Sequence, residues 1–192
     1  FEPILGEGGI IIPDDGYLEG IRQICDDNGW LMILDEVQTG NGRTGQYFAY
    51  QHTGVLPDLV TTAKGLGNGV PIGACLARGA AAKVFEPGNH GSTFGGNLLA
   101  CSAALAVLET LEADDLLARA AYLGDYIIAA LARELAGNNL VTEVRGKGLM
   151  IAVELSEPCG ELVVRGLDHG VLLNVTQDNI VRLLPPLTLS DE

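Results

Sequence analysis

Residues 30–40 read Trp30-Leu31-Met32-Ile33-Leu34-Asp35-Glu36-Val37-Gln38-Thr39-Gly40. Five apolar side chains run unbroken and stop at a carboxylate. An apolar run of this length predicts a strand buried on both faces, as in a parallel sheet. In open α/β sheets, ligands bind outside the carboxyl ends of the strands. Asp35 stands at such an end, with Glu36 and Gln38 close behind it, and could fix a polar ligand. The plainer alternative is that Asp35 only caps the following loop.

The pattern around this stretch repeats it. Upstream, Tyr17, Leu18, Ile21, Ile24 and Cys25 fall on one face of a helix over 16–28, between Pro13-Asp14 and Gly29. Downstream, the run Leu59–Ala63 stops at Lys64. A third run, Ile72–Ala77, follows the loop Gly65-Leu66-Gly67-Asn68-Gly69. Strand-like and helix-like segments alternate, which predicts an α/β fold. Residues 97–111 are apolar or small on nearly every face and predict a deeply buried helix. Leu116, Ala120, Leu123, Ile127 and Leu131 predict a second, amphipathic helix, capped by Asp114-Asp115 and ended by Gly137-Asn138-Asn139. Further strands are expected near 149–155, 171–174 and 180–184, with a helix over 160–168. The composition changes near residue 112, so two domains are expected, 1–112 and 113–192. Phe1-Glu2-Pro3 reads as the exit of a strand, and Thr188–Glu192 as the cap of a helix that does not follow. The expectation is a piece of a longer chain, with no signal peptide visible.

Composition narrows the function classes. The 192 residues carry 25 acids against 11 bases, a formal charge of −14. Such a surface repels nucleic acid and anionic membranes, so neither is an expected partner. No apolar stretch is long enough to span a bilayer. Cys25, Cys75, Cys101 and Cys159 are scattered, with no C-x-x-C pair, which argues against a zinc site or a disulfide scaffold. Reduced thiols in a cytoplasmic protein are the expectation. His52, His90 and His169 have no companion at metal-ligand spacing and are read as structural; no metal is expected.

Lys64 carries the sharper chemistry. Apolar residues precede it and glycines follow, so its amine is expected to be partly desolvated. Desolvation lowers a lysine pKa and frees the amine as a nucleophile, which suggests Schiff-base chemistry. A P-loop is excluded because no G-x-x-x-x-G-K-[ST] is present. Ser92-Thr93, before Gly95-Gly96-Asn97 and a helix, suit a phosphate or an ordinary N-cap. Arg182, in a short apolar run before Pro185-Pro186, needs a carboxylate partner from the protein or a ligand.

Taken together, these blocks resemble the class III pyridoxal-phosphate-dependent aminotransferases. The resemblance runs through Glu2-Pro3-Ile4-Leu5-Gly6-Glu7-Gly8-Gly9, Asp35–Gly40, Gly42-Arg43-Thr44-Gly45, Pro57-Asp58 and Ala63–Gly73. It continues through His90–Asn97, Arg145-Gly146-Lys147-Gly148-Leu149 and Arg182-Leu183-Leu184-Pro185-Pro186, in family order over the whole chain. It implies half of a fold-type I enzyme, with part of the large cofactor domain and most of a small C-terminal α/β domain. It also implies transfer of an amino group from N-acetylornithine or ornithine to 2-oxoglutarate, as in arginine biosynthesis. By resemblance, Lys64 holds pyridoxal 5'-phosphate and moves the substrate proton. Asp35 pairs with the ring nitrogen, Val37 packs on the ring and Gln38 bonds near its hydroxyl. Thr93 reaches the cofactor phosphate of the neighbouring subunit, with Ser92 near the substrate, which implies a homodimer with shared active sites. Arg182 clamps the substrate α-carboxylate, and Glu7 pairs with it when another substrate is bound. Leu5 departs from the usual glutamine. The family's glycine-rich phosphate loop, stacking aromatic ring and second substrate arginine have no counterpart here. Other amino donors of the class (succinylornithine, 4-aminobutyrate), a 2,1-aminomutase of the same fold, and a chain that only folds or dimerises remain alternatives.

Overall fold

The computed structural model describes residues 1–191. Its elements are α1 (Tyr17–Asn28), β1 (Ile33–Asp35), β2 (Leu59–Thr62), β3 (Ala74–Ala77), α2 (Leu98–Ala113), α3 (Leu116–Glu134), β4 (Val141–Lys147), β5 (Met150–Leu155), α4 (Leu162–Asp168), β6 (Asn174–Thr176) and β7 (Ile180–Leu183). They form a three-stranded sheet, β1-β2-β3, and a four-stranded sheet, β4-β5-β7-β6.

In the first sheet β1 and β2 are parallel, with Asp35 opposite Thr61. The parallel reading fails at β3, which runs antiparallel to β2. The physical reason lies in the connection: residues 63–73 are too few for a crossover helix, so the chain turns back on itself. Burial also departs from expectation. Met32 and Leu34 are buried, but Leu31 and Ile33 stand outward, so β1 is covered on one face only. That face packs on α1 through Leu18 and Cys25. The Asp58 carboxylate ties the layers together, accepting from the Met32 N–H and from Arg22 of α1, each at 2.8 Å. Burial opposes its ionisation, but these bonds outweigh that and hold the carboxyl below its ordinary range.

The second sheet is wholly antiparallel. Strand β4 was not among the expected strands; β6 lies a few residues beyond the expected 171–174. Two clusters cover this sheet. One joins Val153, Cys159 and Val181; the other joins Ile4 and Ile10 of the N-terminal segment to Met150, Ala152 and Ile180. The first residues of the chain are therefore built into the second sheet.

Helix α3 follows its predicted stripe, burying Leu116, Ala120 and Leu123. Its cap differs: Asp115 adopts φ 48° and its side chain accepts no capping bond. Gly124 is its closest approach to the sheet, because a Cβ there would lie 2.2 Å from the Gly148 carbonyl oxygen. Helix α2 is not deeply buried. Leu98 and Leu99 are 85% and 75% exposed, and only Ala100, Ala104 and Leu111 are covered. Leu98, Leu99 and Leu105 on its other faces stay exposed. None of the described helices is long and apolar enough to cross a membrane.

Candidate active site

The carboxyl ends of β1 and β2 point the same way because the strands are parallel. They carry Asp35 and, two residues past β2, Lys64 into one region. A cavity of about 710 Å³ opens there, and Glu7, Val37, Gln38, Lys64 and Arg182 all line it. Helix α2 forms one wall through Ala103, Ala106 and Val107, and Arg43 and Asn41 close another. Five of the eight predicted site residues thus meet in one cavity.

Lys64 is exposed, so the expected desolvation is not found. The loop that follows lines the same cavity through Gly65, Gly67 and Asn68 without covering the lysine. Its backbone is unusual instead, with φ 45°. That is the left-handed region, which costs a residue with a Cβ about 1 kcal/mol or more.

Asp35 does not line the cavity wall directly. Its Oδ1 accepts from the Val37 N–H at 3.0 Å, the local cap that the plainer reading anticipated. Gln38 is held by shape: its carboxamide lies against Gly6, where an added Cβ would stand 2.5 Å from Oε1. Glu36, beside Asp35, faces the opposite way. It is wholly buried and accepts from the Thr39 hydroxyl, the Ala49 N–H at 2.9 Å and the Tyr50 N–H at 3.0 Å. Its role is to fix the loop that follows β1, not to meet a ligand.

Burial raises the Glu36 carboxyl pKa above the ordinary 4.5, against three hydrogen bonds that lower it. A raised folded pKa means the native state binds the proton more tightly than the unfolded chain. The stabilising contribution is complete below the unfolded pKa and is lost as pH rises through the folded one. The stability of the natural chain relative to Glu36→Gln is therefore expected to fall as pH rises above the ordinary 4.5, as read by urea unfolding at each pH. A difference that stays flat over that range contradicts the account.

Arg182 on β7 is the most constrained group. Its Nε donates to Asn174 Oδ1 at 2.9 Å, and its Nη1 lies 2.7 Å from Glu7 Oε2. The second contact is an ion pair whose direction is poor for a hydrogen bond, so Nη1 is buried without an acceptor in line. Glu7 itself is exposed, with 69% of its side chain open. Arg43 is held by the Pro185 carbonyl and forms no ion pair among the described residues; desolvation by burial lowers its pKa.

Ser92 and Thr93 are not brought into the cavity. They sit in an exposed turn, and the N-cap of α2 is Asn97, whose Oδ1 accepts from the Ala100 N–H at 3.0 Å. Leu5, also exposed, pairs its backbone with Ile11. His52 makes a local contact, its Nε2 lying 3.1 Å from the Thr44 carbonyl. No motif or charge in the sequence marks Asn174 or Thr176 as site residues.

The chain belongs to the class-III aminotransferases, whose family model matches residues 1–192. Its curated relatives include acetylornithine aminotransferase 1 of Bordetella pertussis, 55% identical over 191 residues, which cover 100% of this chain and 49% of that protein. The ornithine aminotransferase of Toxoplasma gondii, whose crystal structure shows partial occupancy of PLP at its active site, superposes with a TM-score of 0.95. It is 40% identical, over 100% of this chain and 46% of that one. The acetylornithine aminotransferase of Elizabethkingia anophelis gives a TM-score of 0.90 at 39% identity, over 98% of this chain and 49% of that one. The mixed α/β architecture is accordingly that of the fold-type I enzymes, and the chain spans about half the length of these relatives.

Proposed function

We propose that this chain carries the cofactor lysine and the substrate arginine of a pyridoxal-phosphate-dependent aminotransferase acting on N-acetylornithine or ornithine with 2-oxoglutarate. The observation that supports it best is the cavity shared by Lys64, Gln38, Glu7 and Arg182, with Arg182 Nη1 buried and lacking an acceptor in line. The donor set suits the cofactor: an open amine, a carboxylate at a strand end and a carboxamide held in place. Pyridoxal phosphate, when bound, supplies the electron sink that stabilises negative charge at the substrate Cα.

The remaining chemistry belongs to the chain. Lys64 Nζ is the nucleophile that holds the cofactor, and once released it moves the proton at Cα. Asp35 would supply the carboxylate that keeps the ring nitrogen protonated, and Val37 and Gln38 would help to hold the ring. Arg182 takes the substrate α-carboxylate, for which a planar, two-pronged donor is well shaped. Glu7 covers Arg182 when the substrate presents no carboxylate there. Thr93, with Ser92, serves the phosphate and substrate of a neighbouring subunit, so the working unit is a homodimer. Residues 1–112 belong to the cofactor domain and 113–192 to the small domain. A cytoplasmic location follows from the biosynthetic role and the free cysteines.

The test is chemical. Incubation with pyridoxal phosphate, borohydride reduction and peptide mapping is expected to place the modification on Lys64 alone. Modification scattered over Lys83 and Lys147, or absent, contradicts the assignment.

A further inference from the structure

Strand β6 is only three residues long, yet it touches both members of the ion pair in the cavity. Alternate residues of a strand share a face, so Asn174 and Thr176 stand side by side. Asn174 lies opposite Arg182 in the β6–β7 ladder and takes the guanidinium Nε–H at 2.9 Å. Thr176, which is buried, donates its hydroxyl to the Glu7 carbonyl at 2.6 Å, with Glu7 Oε1 3.4 Å away. Its neighbour Gln177 donates to the same carbonyl at 3.3 Å. The far side of the Glu7 loop is held by Arg145, whose guanidinium donates to the Gly9 carbonyl at 2.7 Å and the Ile10 carbonyl at 2.9 Å.

We propose that Asn174 and Thr176 are positioning residues that set the balance between Glu7 and a ligand carboxylate for Arg182. This rests on the reading that Arg182 receives a substrate carboxylate. Asn174 occupies Nε and leaves the Nη groups as the donors for an incoming carboxylate, which it thereby favours. Thr176 fixes the backbone of Glu7 and keeps its carboxylate within reach of Nη1, which favours the internal competitor. The two residues sit two positions apart and act in opposite directions.

The test is steady-state kinetics of the full chain with bound cofactor, varying the oxo acid. Asn174→Ala is expected to raise KM for 2-oxoglutarate about tenfold, with kcat changed less than about twofold. Thr176→Val, nearly isosteric, is expected to lower the same KM about threefold to fivefold, and Thr176→Ser to restore it. Opposite signs at neighbouring positions are not what a general loss of folding produces; Asn174 is in any case exposed. If both variants move KM the same way, or neither moves it, the assignment is overturned. Arg182→Lys separates the two levels. If it raises KM while the β6 variants do nothing, only the role of β6 fails. If it leaves KM unchanged, the reading of Arg182 fails and the role of β6 fails with it.

Discussion

Lys64→Gly is expected to abolish amino transfer and yet leave the protein as stable as before, or more so. On the proposed function the amine both anchors the cofactor and carries the substrate proton, and no other described residue lining the cavity has a primary amine. Proton transfer by a placed side chain alone contributes about 10²–10⁴-fold, so turnover should drop by about three orders of magnitude or more. Stability moves differently. Lys64 is exposed and holds φ 45°, a conformation that glycine adopts without cost. Relief of that strain offsets the extra freedom glycine gives the unfolded chain, for a net change between zero and a gain of about 1 kcal/mol. Turnover measured beside urea unfolding checks both halves. A variant that loses stability by more than about 1 kcal/mol would show that Lys64 packs, which contradicts a strained residue kept for its chemistry.

The second large effect concerns Gly124→Ala in α3. Propensity alone favours the change by about 1 kcal/mol, because alanine is the better helix former. Geometry opposes it. The new Cβ would stand 2.2 Å from the Gly148 oxygen, 2.5 Å from its carbonyl carbon and 2.6 Å from its Cα, all backbone atoms that cannot rotate aside. Gly148 is pinned in turn: its φ is 54°, and a Cβ on it would meet Thr44 at 2.5 Å. Overpacking of this kind costs about 1–3 kcal/mol or more, so a net loss of about 2 kcal/mol is expected in urea unfolding. Gly20→Ala in α1 is the matched comparison, since nothing lies within 4 Å of its Cβ position. It should stabilise by about 0.5–1 kcal/mol. Equal effects at the two glycines would contradict the packing account.

Much of this architecture is legible in the sequence, for physical reasons that also mark where reading fails. The helices α1 and α3 show a one-sided apolar stripe; α3 is found with that face inward, whereas α1 buries Leu18 and Cys25 but leaves Tyr17 and Ile24 exposed. Runs that end in Asp35 and Lys64 do become parallel strands. The direction of β3 was readable from the short connection but not from its apolar content. Apolar character also says nothing of what covers a face, which is why α2 and the outer face of β1 were expected to be buried. Strand β4 was hidden because its pairing depends on β5, not on its own charged residues. At the site, Lys64 and Arg182 announced themselves by type, and Glu7 only through the family resemblance. Their supports did not. Glu36 resembles Asp35 in type and differs only in the direction its strand position gives it. Asn174, Thr176 and Arg145 matter through partners 8 to 169 residues away in the chain.

Those separations bear on the order in which the molecule assembles. The bonds that seat the Glu7 loop join residues 135, 136 and 169 positions apart. Nearly the whole chain must close on itself before they form, and each needs β4 or β6 already in place. The lysine-bearing strands, by contrast, pair within a span of some thirty residues. Lys64 is thus expected to reach its place early in folding, and the Glu7–Arg182 pair to form last.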